Sequence, residues 1–258
     1  MSSAIQLKAG DTADLECLSI PSLRRMSRAA DEVLEALRVL GKAGTNPVAQ
    51  VLRHQGEFIE LDHYPKGDIY DDETGAQYYY HAHRPETGEH GHFHTFLRAK
   101  GMPFDIEPVP YTGGADRPLD DDAISHLIAI AMDSRGLPTA LFTTNRWVTG
   151  ETFYAADAVI AMLDRFNIDH AYPCLATNRW ITAVVRLFRP QVEILLRRRD
   201  TAIEDWQRRY PDGDVFEDRR LEITSELPID IDAQIAWVDV ALETRTGASE
   251  RVDRVLPE

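Results

Sequence analysis

The chain has 258 residues, with 28 Lys+Arg against 43 Asp+Glu and a formal charge of −15. An apolar fraction of 43% is ordinary for a soluble globular protein and excludes collagen-like and fully disordered classes. The acidic balance argues against a general nucleic-acid binder, because phosphate affinity comes mainly from Lys and Arg, and no run approaches the roughly 18 apolar residues that span a bilayer.

Residues 1–18 read as a loose lead-in with no apolar signal-peptide core. The stripe Leu23, Met26, Ala30, Val33, Leu37 and Leu40 predicts a helix from Pro21 to Leu40, with Gly41 as its C-terminal cap. Asn46 caps a second, short helix running to about His54. A strand is expected over Glu57–Tyr64, then a loop over Pro65–Gly75. The aromatic-rich segments Gln77–His83 and His92–Arg98 suit strands. A Pro/Gly/Asp-rich loop over 101–122 follows. Next come strands His126–Met132 and Thr139–Thr143, joined by the hairpin signal Asp133-Ser134-Arg135-Gly136. The second half reads as helical: Glu151–Phe166, then Trp180 to about Tyr210 with Pro190 interrupting it. Leu221–Thr224 suits a strand, and Ile235–Leu242 suits a strand or a helix. The tail from Glu243 is polar and expected to be loosely ordered. No linker divides the chain. The expectation is an α+β fold in one domain over 1–258, with a central antiparallel sheet that carries a His-rich hairpin and packs against several helices.

Histidine placement is the informative feature. Five of the nine His fall between His81 and His94, a window in which random placement would put about half a His. On a strand, side chains alternate faces, so His81 and His83 share a face of their strand, and so do His92 and His94. His90 joins the second pair if that strand begins early. Pro85 and Gly88 mark a turn, so the two segments form a hairpin. In matching register its imidazoles converge, since directly opposite Cα atoms lie roughly 4.5–5.5 Å apart. His81, His83, His92 and His94 are therefore the candidate metal ligands. Glu86 or Glu89 would complete an N₃O set, or Glu89 and His90 would serve as catalytic acid–base groups. Imidazole with carboxylate suits a divalent transition metal: Zn, Fe, Ni, Cu or Mn. Without an ion, clustered imidazoles repel when protonated and leave nitrogens unsatisfied when buried, which favours the metal reading over a structural cluster. His63 and His126 are outlying candidates, His63 being expected to contact a nearby carboxylate from a loop. Tyr78, Tyr79 and Tyr80 are expected to pack.

A second feature is a repeat. Thr144-Asn145-Arg146-Trp147 recurs as Thr177-Asn178-Arg179-Trp180. Read locally, each copy caps and anchors a following helix. Read as a pair, Asn145, Arg146, Asn178 and Arg179 sit on adjacent loops and bind a small anionic substrate, because Arg clamps carboxylate or phosphate bidentately.

Three resemblances overlap the His segment. Gly75 followed by His81-Ala82-His83 resembles a cupin first motif, although the Glu is displaced and no second half-motif follows. His90-Gly91-His92-Phe93-His94-Thr95-Phe96 resembles the histidine-triad motif of nucleotide hydrolases and transferases, which implies a nucleophilic His at His92. Gly91 stands there in place of an apolar residue. The whole segment HAHRPETGEHGHFH, with the two TNRW copies, is most similar to an uncharacterised bacterial family of unknown function, and that resemblance implies no activity.

The expected function is a metal-dependent enzyme acting on a small anionic substrate, with hydrolase, lyase and oxygenase all open. The alternatives are a metal-free histidine-triad-like transferase and a non-enzymatic metal carrier or sensor. Cys17 and Cys174 imply no disulfide framework, and the cytoplasm is the expected compartment. Neither nucleic acid nor membrane is expected as a partner, and the sequence is silent on oligomeric state.

Overall fold

A computed structural model describes residues 18–84 and 88–247. Its first element, α1, spans Ile20–Lys42. Ser19 caps it, accepting from the Ser22 amide at 3.2 Å, and the whole expected stripe is buried. The helix passes through Gly41. The left-handed position falls instead at Gly44, with φ 65°, whose amide bonds to Gly41 O. The short helix α2, Pro47–Leu52, is capped by Asn46 as expected, with Oδ1 accepting from the Ala49 amide at 2.8 Å.

Six strands follow: β1 Tyr64–Tyr70, β2 Ala76–His81, β3 Gly91–Arg98, β4 Ile124–Met132, β5 Pro138–Thr144 and β6 Ile223–Pro228. They form one sheet in chain order, each pair antiparallel. This single meander differs from the double-sheet jelly roll of cupins, so the cupin resemblance does not extend to the fold. The expected strand at Glu57–Tyr64 is displaced to Tyr64–Tyr70. Residues 57–61 turn back on Tyr64, whose hydroxyl bonds to the Ile59 amide and Glu57 O, and Ile59 and Leu61 stay exposed.

The first helix of the second half is α3, Arg146–Thr149. The helix expected over Glu151–Phe166 is shorter: α4 covers Ala156–Met162. Residues 151–154 instead run buried beside the start of β4, where Thr152 donates its amide to Ile124 O at 2.8 Å. The long stretch divides into α5, Leu175–Leu187, and α6, Arg189–Arg209, with Pro190 in the first turn of α6. The second TNRW therefore lies inside α5 rather than before it. The ambiguous Ile235–Leu242 is helical, within α7, Ile231–Thr246. The loose ends expected at 1–18 and beyond 243 lie mostly outside the described residues, although α7 remains regular to Thr246.

The sheet has two unlike faces. Tyr78, Tyr80, Phe93, Leu97, Ile128, Ile130, Leu141 and Leu227 point into the main core with α1, α5, α6 and α7. Trp180 and Phe188 are buried there, each contributing roughly 1.5–3 kcal/mol by leaving water. The other face carries Tyr79, His81, His92, His94 and Phe96, next to Ala129, Ala131 and Phe142. Among the described residues no helix is long and apolar enough to cross a membrane. Cys174 is a free thiol, and Cys17 lies outside the described residues.

Candidate metal centre

The β2–β3 register places His81 directly opposite His92 and Tyr79 opposite His94. The alternation that aims Tyr78 and Tyr80 into the core sends His81, His92 and His94 to the other face. Gly91 permits this closeness. A Cβ there would stand 2.6 Å from both His81 O and the Tyr80 hydroxyl, so no apolar residue fits where the histidine-triad motif has one.

His81, His92 and His94 each present a ring nitrogen within 4.8 Å of the others, and all three are buried. His92 and His94 are wholly inaccessible. Nε2 of His81 lies 2.7 Å from Nε2 of His92. Nδ1 of His92 lies 2.7 Å from Glu89 Oε1. A carboxylate only accepts, so His92 carries its proton on Nδ1 and turns a lone pair at Nε2 toward His81. His94 bonds through Nδ1 to Nε2 of His126 at 3.0 Å. Its own Nε2 is buried without a hydrogen-bond partner.

Burial keeps these rings neutral. It lowers His81 to about 2, helped by the imidazoles of His92, His83 and His63. Burial also holds His92 well below its ordinary value, with His83 and Arg84 adding to the effect, and likewise His94, beside His92, His126, His81 and His83. His126 is pushed down to about 3 by burial, then by Arg199 and His92. Neutral imidazole is the form that ligates metal.

The remaining candidates divide. His83 lies past the end of β2, its ring 5.0 Å from both His81 and His92 and its Nδ1 3.6 Å from Glu222 Oε1. It stands beside the triad, half-buried, rather than within it. His90 precedes β3 and turns away, bonding through Nδ1 to the Tyr80 hydroxyl at 2.7 Å and stacking near Phe58. The expectation that it joins the cluster is corrected: Gly91 starts the strand and His90 takes the core side. Glu89 sits on the far edge of the His92 ring, so it orients that ring and does not supply an oxygen to an N₃O set. Glu86 lies outside the described residues. His63 bonds to Asp68 at 3.1 Å as expected, and it also stacks on Tyr79 at 3.6 Å, with Tyr79 in turn 5.3 Å from His81. Arg84 closes the edge, its guanidinium 4.6 Å over Phe142 and 3.0 Å from Glu226. Sequence reasoning gave no role to Arg84, Phe142, Glu226 or Glu151, which come from segments that periodicity does not connect.

The two TNRW copies are not brought together. Asn145 caps α3 and donates to Val215 O at 2.7 Å. Arg146 is buried, bonding to Glu151 O, Asp116 O and the Glu217 carboxylate. Asn178 is buried behind the opposite face, accepting from the Tyr78 hydroxyl at 2.7 Å and donating to His170 O and Tyr172 O. Arg179 is exposed and pairs with Glu32 at 3.8 Å. The expected clamp of Asn145, Arg146, Asn178 and Arg179 on adjacent loops is therefore absent. Identical tetrapeptides occupy a cap in one case and a helix interior in the other.

Comparison with known proteins follows the motif. A family described as a domain of unknown function, DUF6969, matches residues 27–229, which takes in every histidine of the cluster. No curated protein and no solved structure matches the chain.

Proposed function

The chain belongs to the DUF6969 family, and we propose that it is a metal-dependent enzyme built on a three-histidine centre. His81, His92 and His94 would hold a divalent transition metal through Nε2. One observation carries this reading: three buried imidazoles offer ring nitrogens within 4.8 Å of one another, and Nε2 of one of them, His94, has no hydrogen-bond partner. A buried polar atom left without a partner costs about 1–3 kcal/mol, and an ion removes that cost. The donor set fits with a small adjustment. Ligands about 2.0–2.1 Å from a tetrahedral ion stand roughly 3.3–3.4 Å apart, so the 2.7 Å between His81 and His92 must open slightly. Zn, Fe, Ni, Cu and Mn all accept imidazole.

Three imidazoles leave a fourth position, the pattern of catalytic rather than structural zinc. His83, a partly exposed imidazole with its ring 5.0 Å from those of His81 and His92, is the group suited to move a proton there. A small-molecule substrate belongs to this proposal. Its anionic character draws nothing from Arg146 or Arg179, and the arginine beside the site is Arg84. A second reading, a metal carrier or sensor, is favoured by the complete burial of His92 and His94. The histidine-triad reading is disfavoured by the same burial, since Nε2 of His92 faces His81 and leaves no room for a phosphoryl group.

Metal analysis of tag-free protein tests the centre. About one equivalent per chain is expected, falling below about 0.2 in His92→Ala with His94→Ala. Less than about 0.2 equivalents in the unsubstituted protein, before and after reconstitution, would remove the reading. Co²⁺ then separates enzyme from carrier: azide alters the visible spectrum of an ion with an open position and leaves that of a closed one unchanged.

A further inference from the structure

We infer that His126 is a positioning residue, which fixes the His94 ring with its proton on Nδ1 and its Nε2 lone pair free. The inference rests on the three-histidine reading for its consequence and on independent geometry for its substance.

The first observation is the hydrogen bond. Nδ1 of His94 and Nε2 of His126 are 3.0 Å apart, with both rings buried. One nitrogen must donate and the other accept. If His94 accepts at Nδ1, its proton sits on Nε2, buried without an acceptor. If His94 donates, Nε2 becomes a free lone pair, on a ring 4.8 Å from that of His92 and 5.1 Å from that of His81. The second arrangement spares the buried Nε2 of His94 a proton without an acceptor and puts the His126 proton on Nδ1, which is not among the buried atoms left without a partner. It also repeats the geometry of His92, where Glu89 takes the Nδ1 proton.

The second observation is how His126 reaches that place. Pairing of β3 with β4 runs in register from Gly91 opposite Met132 to Thr95 opposite Ile128, then shifts so that Phe96 faces His126. The extra residue is Leu127. A bulge of this kind reverses the side-chain alternation beyond it. Without it, Leu127 would take the position next to His94 and His126 would point into the helical side. The bulge is anchored, because the His126 amide donates to Glu151 Oε2 at 2.6 Å, and Glu151 is itself fully buried. Leu127 keeps its place in the main core. An irregularity, a buried carboxylate and a ring–ring hydrogen bond thus converge on one nitrogen of His94.

The test reads the His94 tautomer directly, by two-bond ¹H–¹⁵N correlation on the full chain labelled at histidine and treated with chelator. The Nδ1–H form is expected for His94. In His126→Leu the two tautomers should mix and Co²⁺ affinity should fall about 10- to 100-fold. In His126→Gln, whose amide oxygen accepts the same proton, both should recover toward the unsubstituted values. An Nε2–H tautomer in the unsubstituted protein would overturn the inference. So would a folded His126→Leu that keeps both tautomer and affinity. Should His126→Leu not fold, the unsubstituted spectrum and His126→Gln still decide. If Co²⁺ does not bind at all while the tautomer behaves as stated, the positioning role stands and the metal centre falls.

Discussion

Glu89 Oε1 lies 2.7 Å from Nδ1 of His92, on the edge of the ring opposite the other histidines. The carboxylate fixes the ring and raises the basicity of the far nitrogen, as acceptors behind metal-bound imidazoles do. Its side chain is 5% exposed, so water does not readily replace it. Glu89→Ala should weaken Co²⁺ or Zn²⁺ binding about 10- to 100-fold, with a smaller loss in Glu89→Gln. Competition titration against a chelator of known affinity measures both. Equal affinity in all three proteins would show that Glu89 does not act on the metal site through His92 and that its carboxylate, 3.6 Å from the Arg84 guanidinium, has a structural role.

The two arginines of the repeated TNRW should behave differently despite identical neighbours in sequence. Arg146 satisfies two backbone carbonyls and Glu217 from a buried position, so Arg146→Ala should cost roughly 3 kcal/mol. Arg179 has a side chain 54% exposed and one long ion pair, so Arg179→Ala should cost less than about 0.5 kcal/mol. Denaturant midpoints decide. Comparable costs at both positions would mean that the repeat has a shared role which the separate surroundings conceal.

This contrast also shows what was legible beforehand. Period-two alternation through QYYYHAH and HFHTFLR was enough to group His81 with His83 and His92 with His94, but both faces of these strands are buried, so alternation alone did not fix the register that sets His81 opposite His92. The capping of α2 was equally local, with Asn46 acting within three residues, whereas the cap expected for α1 at Gly41 fell three residues later, at Gly44. Long-range events were not readable. The bulge at Leu127, the buried run of residues 151–154 and the contacts of Arg146 with Asp116 and Glu217 all depend on segments at least 25 residues apart in the chain. Periodicity carried the Glu151 helix too far, since Phe153 and Ala156 keep helical spacing whether or not the backbone does. The TNRW copies misled for a related reason: four residues specify a cap only when Thr and Asn precede the helix, and α5 begins before Thr177.

Gly91 is the tightest point of the hairpin. A methyl group there meets His81 O and the Tyr80 hydroxyl at 2.6 Å, and neither atom moves without disturbing β2 or the His90 bond. Gly91→Ala should therefore destabilise by about 1–3 kcal/mol and lower metal content. Gly114→Ala, where a Cβ meets nothing within 4 Å, is the control and should change stability by less than about 0.5 kcal/mol. Thermal unfolding of both variants gives the answer. A Gly91→Ala protein as stable as the control would mean that the two strands are not this close.

Glu151 allows a prediction whose sign follows from linkage. Burial raises its carboxyl from 4.5 to about 7, outweighing the opposing effects of Arg199, the His126 amide and Arg146. Between those values the folded protein holds a proton that the unfolded chain has released. Stability therefore falls as pH rises from 4.5 to 7, by about 1.4 kcal/mol per pH unit. The buried histidines slope the other way, because the unfolded chain takes up protons below about 6.5 while the folded rings stay neutral. Comparing the protein with Glu151→Gln cancels the histidines, since both carry them, and Gln still offers an oxygen to the His126 amide. The variant should gain roughly 3 kcal/mol on the unsubstituted protein between pH 4.5 and 7.5, with nearly all of the gain complete by pH 7.5. Chemical denaturation of both proteins in chelator across that range measures the difference. A difference independent of pH would mean that Glu151 is ionised throughout, held by Arg146 and Arg199, and that the bulge at His126 is tied to a charge rather than to a neutral acid.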